Sequence, residues 1–206
     1  MAKIVRPVKF SDPNLDFTEP GASKVLRDIL KKRDDEITLM DFLWIFNGCL
    51  PAGTYEECLY FVRPALDRIS AEVSQYSGIW TQQLDEALSL LPDLCIWVRV
   101  SWEELVRDGY VAVMRDRICG IMDGLLERNV DDGTVADTIS EMNKWPGTRF
   151  GSAYMEERIS LLDRDRAREL RKWVAYFERL GMESQGNPQG IATGTDGKNH
   201  GGVCPR

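Results

Sequence analysis

Histidine is almost absent from this chain of 206 residues; the only one, His200, lies near the end among glycines and polar side chains. Ser-His-Asp and Cys-His catalysis are therefore excluded from the body of the protein, because both need an imidazole to accept the nucleophile's proton. The five cysteines, Cys49, Cys58, Cys95, Cys119 and Cys204, show no CxxC spacing. Zinc sites of Cys or His type lack ligands at a useful spacing, and the thiols read as reduced ones in a cytoplasmic protein. No glycine loop of the GxxxxGK[ST] or GxGxxG kind occurs, and no motif calls for a cofactor. Long apolar runs are missing too. The longest uncharged stretch, between Asp41 and Glu56, holds Asn47, Gly48, Pro51 and Gly53 and is too short to span a bilayer. The opening MAKIVRPVKFSDP has no apolar run, so it does not read as a signal peptide. Basic excess is also lacking. Lys plus Arg number 26 against 33 acids, a net charge of −7, which argues against a nucleic-acid binder.

What is present is helical punctuation. Residues 1–20 carry Pro7, Pro13 and Pro20 and read as an extended arm. Residues 183–206 are rich in glycine and nearly devoid of large apolar side chains, so they read as a mobile tail that cannot offset its chain entropy by burial. Between them, residues 21–182 read as one helical domain. Ser23 is expected to cap KVLRDILKKR and Thr38 to cap LMDFLWIF, with Gly48 as a stop. Thr54 and Glu57 form a capping-box pattern. Ser77 is expected to open a helix that Pro92 stops, leaving LCIWVRV, near 94–100, as a strand-like segment or the entry to a short helix. Gly109 precedes a long helix from Tyr110 to Arg128, and Thr134 with Asp137 starts another. WPGTRFGS reads as a loop, and Asp163 caps a last helix ended by Gly181. The expected fold is all-α, a multi-helix bundle of about seven helices.

Cys58 sits beside two carboxylates in LPAGTYEECLYFVRPALDRI, and projection settles its role. At about 100° per residue, Tyr55, Cys58, Leu59, Phe61, Val62, Ala65, Leu66 and Ile69 fall in one arc. Cys58 lies in its middle and is expected to be an inert core residue, while Pro64 projects toward solvent.

Two acidic segments, DDE at 34–36 and DDGTVADTISE at 131–141, resemble in outline the magnesium-binding boxes of all-helical diphosphate enzymes. Their spacings complete no such motif, and acids before helix starts are favoured by the helix dipole in any case. Residues 51–133 hold seven arginines and fifteen acids, so this segment alone carries −8. On the helix after Gly109, Asp116, Asp123 and Glu127 share one stripe beside Gly120 and Gly124, where something is expected to approach the backbone closely. The last helix shows the complement, an apolar arc of Ala167, Leu170, Trp173, Val174, Phe177 and Leu180 and a basic stripe of Arg164, Arg168, Arg171, Lys172 and Arg179. In KWPGTRF, Trp145 and Arg149 are of the residue types that anchor interfaces.

These features together describe a small acidic, cytoplasmic helical module that works by stoichiometric binding of a protein partner, with no nucleic acid and no membrane involved. An inhibitor or immunity-type protein for a basic partner is its sharpest form, with Asp116, Asp123, Glu127, Trp145 and Arg149 as the partner-binding residues. The alternatives are a small helical enzyme using carboxylates and Mg²⁺, or a structural subunit of a larger assembly; self-association is open to it. Geometry separates them. An enzyme needs several acids converging in a concave pocket, and a binder needs an exposed aromatic inside an acidic field.

Overall fold

The computed structural model describes residues 4–11, 21–46, 52–147, 149–159 and 161–185. Among them are nine α-helices and no strand. They are α1 (Ala22–Lys31), α2 (Leu39–Ile45), α3 (Tyr55–Gln75), α4 (Gln82–Val100), α5 (Trp102–Asp108), α6 (Val111–Arg128), α7 (Asp132–Asn143), α8 (Phe150–Ile159) and α9 (Arg164–Gln185). No helix among the described residues is long and apolar enough to cross a membrane. Most of the expected tail, and Gly48, lie outside the described residues. The last helix runs through Gly181 to Gln185 rather than ending at that glycine.

Two helix starts follow the capping chemistry of the sequence. The Thr38 side chain accepts from the Asp41 amide while Asp41 accepts from Thr38, and Thr54 and Glu57 do the same at α3. Glu57 also accepts from the Ser11 amide and hydroxyl, which pins the arm to α3. Farther out on the arm, Arg6 pairs with Asp34 at 2.7 Å and Phe10 packs on Phe61 with ring centroids 5.8 Å apart. The projected arc of α3 is buried in full, and burial pushes the Cys58 thiol up to about 12. Pro64 is half-buried. Cys58 is thus a core residue, protonated at neutral pH and closed to reagents.

Other starts differ. α1 is preceded by Gly21 and has no side-chain cap, so Ser23 does not serve there. α4 begins one turn later than Ser77 suggests, because Thr81 accepts from the Leu84 amide. α7 is capped by Asp131, whose carboxylate accepts from Gly133 and Thr134, and not by Thr134. Asp163 caps α9, accepting from the amides of Asp165 and Arg166.

The strand-like segment near 94–100 is helix, and Pro92 lies inside α4. Leu91, Leu94, Cys95, Trp97 and Val98 are all buried, at spacings of three and four. An interior proline costs about 3 kcal/mol, but a strand would turn alternate members of that set to solvent. Burial of a continuous helical face outweighs the local preference of β-branched residues. α8 lies in a stretch that the sequence pattern leaves as loop and connector, and it brings the helices to nine instead of about seven.

α7 is the hub. It packs against α4 on one flank and α9 on another, with α8 and α6 completing its surroundings. A Cβ on Gly151 of α8 would lie 2.2 Å from the Ile139 carbonyl oxygen, so only glycine lets α8 sit this close to α7. α3 packs on both α4 and α6, and α2 fits between α1, α3 and α4. A Cβ on Gly124 would meet Val73 of α3 at 3.2 Å, so a helix of the same chain is what approaches α6 at this glycine.

Candidate functional site

The five expected partner-binding residues do not form one surface. Trp145 is only 2% exposed. Its indole N–H donates to the Cys95 carbonyl at 2.9 Å, and its ring packs with Trp102 and Phe150, centroids 6.0 and 5.8 Å away. The expectation of a displayed anchor is therefore corrected: Trp145 closes one end of the bundle, and its one polar atom is satisfied inside. Arg149 is exposed just before α8 without that anchor beside it.

The acidic stripe on α6 is corrected as well. Asp123 is half-buried and accepts from the Tyr154 hydroxyl at 2.7 Å and from Arg158 at 2.5 Å. Both donors come from α8, the helix that the sequence pattern leaves out. With Asp123 neutralised from within, Asp116 and Glu127 remain as separate exposed acids, and Asp116 is paired with Arg115 at 2.7 Å.

Acids and an exposed aromatic do come together elsewhere. A groove of about 350 Å³ runs between α4 and α7. α4 contributes Asp85 and Asp93; the cap of α7 contributes Asp131, and α7 itself Asp137 and Glu141. No arginine or lysine is among the lining residues. Trp80, just before α4, stands at this groove with 51% of its surface exposed. Thr134 and Ser89 add hydroxyls, and Leu88, Pro92 and Ile96 supply an apolar floor.

Electrostatics mark the groove as under-neutralised. Burial, reinforced by the charge of Glu141, pushes the Asp137 carboxyl up to about 6, against the pull of Lys144. Glu141 is buried; one oxygen accepts from Lys144, and the other makes no hydrogen bond, with Arg99 3.5 Å away. A raised carboxyl beside further carboxylates is what a cation placed in the groove would relieve.

The sequence carried part of this site. Asp131, Asp137 and Glu141 belong to the acidic segment at 131–141, and Asp137 and Glu141 share a helix face four residues apart. Trp80, Asp85 and Asp93 went unread. One signal was available: Trp80 directly precedes the cap Thr81, the place of a hydrophobic staple, yet the residue a staple would pack on is Asp85. An aromatic there has no local apolar partner and is left at the surface.

The carboxylates of the other segment are occupied. Asp34 is held by Arg6 and Tyr60, and Asp35 and Glu36 by Arg33. Within the 131–141 segment, Asp132 is occupied too, by a two-pronged contact from Arg166 at 2.6 and 2.9 Å. Among the described residues no three His, Cys, Asp or Glu side chains gather at metal-binding distance. Comparison with known proteins yields no match to a family model, a curated protein or a solved structure.

Proposed function

We propose that this chain is an acidic helical interaction module that binds a basic protein partner stoichiometrically, through the groove between α4 and α7. The observation that carries the reading is the half-exposed Trp80 at a groove that has five carboxylates and no basic side chain. The carboxylates that line the groove attract a cationic surface over about 10 Å and speed its encounter. Trp80 supplies apolar area and a π-face on which a lysine or arginine can rest. An inhibitor or immunity-type role is the sharpest form of this reading. Cys58, Cys95 and Cys119 are free thiols, which suits a reducing, cytoplasmic setting.

The test is differential capture from native lysate with two baits, the wild-type protein and Trp80→Ala/Asp85→Asn. Quantitative mass spectrometry is expected to recover a basic protein at least tenfold more with the wild type, and raised salt to abolish the difference. Equal recovery of every captured protein on both baits would sink the proposal.

A further inference from the structure

A trench separate from the groove lies between the N-terminal arm and α1. Arg6 donates to the carbonyls of Ile29, Leu30 and Lys32, so the arm enters at the C-terminal end of α1. Its other end is held at Ser11 by Glu57 of α3. The space left beside α1 is about 410 Å³. Val8, Phe10, Leu26 and Leu30 give it apolar walls, and Lys9 and Arg27 line it with positive charge. No carboxylate is among its described lining residues. Lys9 and Arg27 are exposed and form no ion pair with a described residue; their charges reach Glu57 and Asp28 only through space. The arm is neither helix nor strand, and the backbone of Val8, Lys9 and Phe10 makes no hydrogen bond with a described residue.

We propose that this trench receives an extended, acidic segment of a partner protein, in which large apolar side chains alternate with carboxylates. The inference does not depend on the groove between α4 and α7. Three observations select the occupant. Apolar walls under a cationic rim call for a ligand with an apolar side and a negative side, and an extended chain turns successive side chains to opposite sides. The backbone of residues 8–10 offers main-chain hydrogen bonds, which an extended peptide can return and a helix, whose backbone groups are paired internally, cannot. Lys9 and Arg27, with no acid beside them in the trench, repel a basic occupant and attract an acidic one.

A second copy of this chain does not supply the segment from its described residues. Their acids outside the α-helices are all engaged within the chain. Asp34 is held by Arg6 and Tyr60, and Asp35 and Glu36 by Arg33. Asp131 and Asp163 cap α7 and α9.

The test is a nuclear magnetic resonance titration of the full chain, isotope-labelled, with the capped synthetic peptide Asp-Leu-Asp-Phe-Asp-Leu-Glu. The amides of residues 8–11 and 23–30 are expected to shift together and to saturate. Lys9→Glu/Arg27→Glu, made wholly on exposed residues, is expected to weaken binding at least about tenfold, because each reversal removes an attraction and adds a repulsion. The same spectrum verifies that this variant folds. A peptide with Lys at every acidic position is expected to shift these amides in the variant and not in the wild type. Replacing Leu and Phe of the first peptide by Ser is expected to abolish its effect. Absence of shifts at these amides overturns the inference, as does equal binding to the variant or equal binding of the serine peptide. Binding seen only after Leu15→Ser/Phe17→Ser would assign the trench to the chain's own residues 12–20, and shifts that follow the protein's own concentration without peptide would assign it to a second copy; either result overturns the inference.

Discussion

Replacing Asp137 by Asn should stabilise the protein at alkaline pH and leave it unchanged at acid pH. The wild-type carboxyl moves from 3.8 to about 6 on folding, because burial and Glu141 disfavour its charge. Two units at about 1.4 kcal/mol each give a ceiling near 3 kcal/mol. Asp137 is only half-buried, and solvent on the open side of the groove reduces this to about 1–2 kcal/mol. The sign follows from proton counts. Between about pH 4 and pH 6 the folded state holds the proton more tightly than the unfolded state, so stability contributed by this group falls as pH rises through that window. Above about pH 7 the full cost of an ionised Asp137 remains, and an amide removes it.

For a domain of this size the variant should melt about 3–6 °C above the wild type at pH 8 and within error of it at pH 4. Scanning calorimetry at unit steps of pH measures this, and only the difference between the two proteins counts, since other groups titrate in both. The groups that set the local field are Glu141 on α7 and Lys144 just after it, Asp131 at its start, Asp85 and Asp93 on α4, and Arg99 against Glu141. A difference that is the same at pH 4 and pH 8 refutes the reasoning, as does a wild type that outlasts the variant at pH 8. The same linkage reaches binding. A cation in the groove fixes Asp137 in its charged form, so affinity for a basic partner is expected to rise from pH 5 to pH 7.

Glycine substitutions should separate close packing from plain helix propensity. Gly151→Ala is expected to cost about 3 kcal/mol or more, since its Cβ would strike the Ile139 carbonyl, whereas Gly120→Ala meets nothing within 4 Å and should gain up to about 1 kcal/mol; urea unfolding of both checks this. Trp145→Phe should destabilise by about 2–3 kcal/mol through the lost bond to Cys95 and the space left behind, and a stability within error of wild type would show that the indole is not a structural member. Cys58 should resist a thiol reagent in the native protein and react at once in denaturant, and Cys58→Ala should fold at a cost of about 1 kcal/mol.

Patterns confined to one helix were readable in advance. The arc from Tyr55 to Ile69 and the caps at Thr38 and Thr54 rest on 3.6-residue periodicity and on hydrogen bonds between near neighbours, and each stands in the structure. Where two local signals compete, reading failed. Pro92 and the β-branched residues after it argue for an ending, yet tertiary burial carries the helix on to Val100. α8 begins straight after a Trp-Pro-Gly turn, and its buried positions, Gly151, Tyr154 and Met155, give too narrow a stripe to register as a helix. Missing α8 led directly to the misplaced binding stripe, for Tyr154 and Arg158 are what Asp123 meets. Asp85 and Asp137 are some fifty residues apart in sequence, and only the docking of α7 on α4 makes them neighbours.

Charge placement explains why the groove, and not the stripe, is the site proposed for a partner. The segment 51–133 has far more acids than arginines, so most of its carboxylates need cations from elsewhere or must stay in water. The C-terminal third supplies two of those cations. Arg158 of α8 goes to Asp123, and Arg166 of α9 goes to Asp132 and to the Leu126 carbonyl. Both act on the same side of the bundle, where α6 and the start of α7 meet the last two helices. On the other side of α7, Lys144 and Arg99 lie against Glu141 and Lys144 also pulls on Asp137, while among the described residues no cation lines the groove that holds Asp85, Asp131 and Asp137. Folding thus places Asp123 and Asp132 in ion pairs that hold helices together, and it leaves carboxylates as the only charged side chains lining the groove beside Trp80.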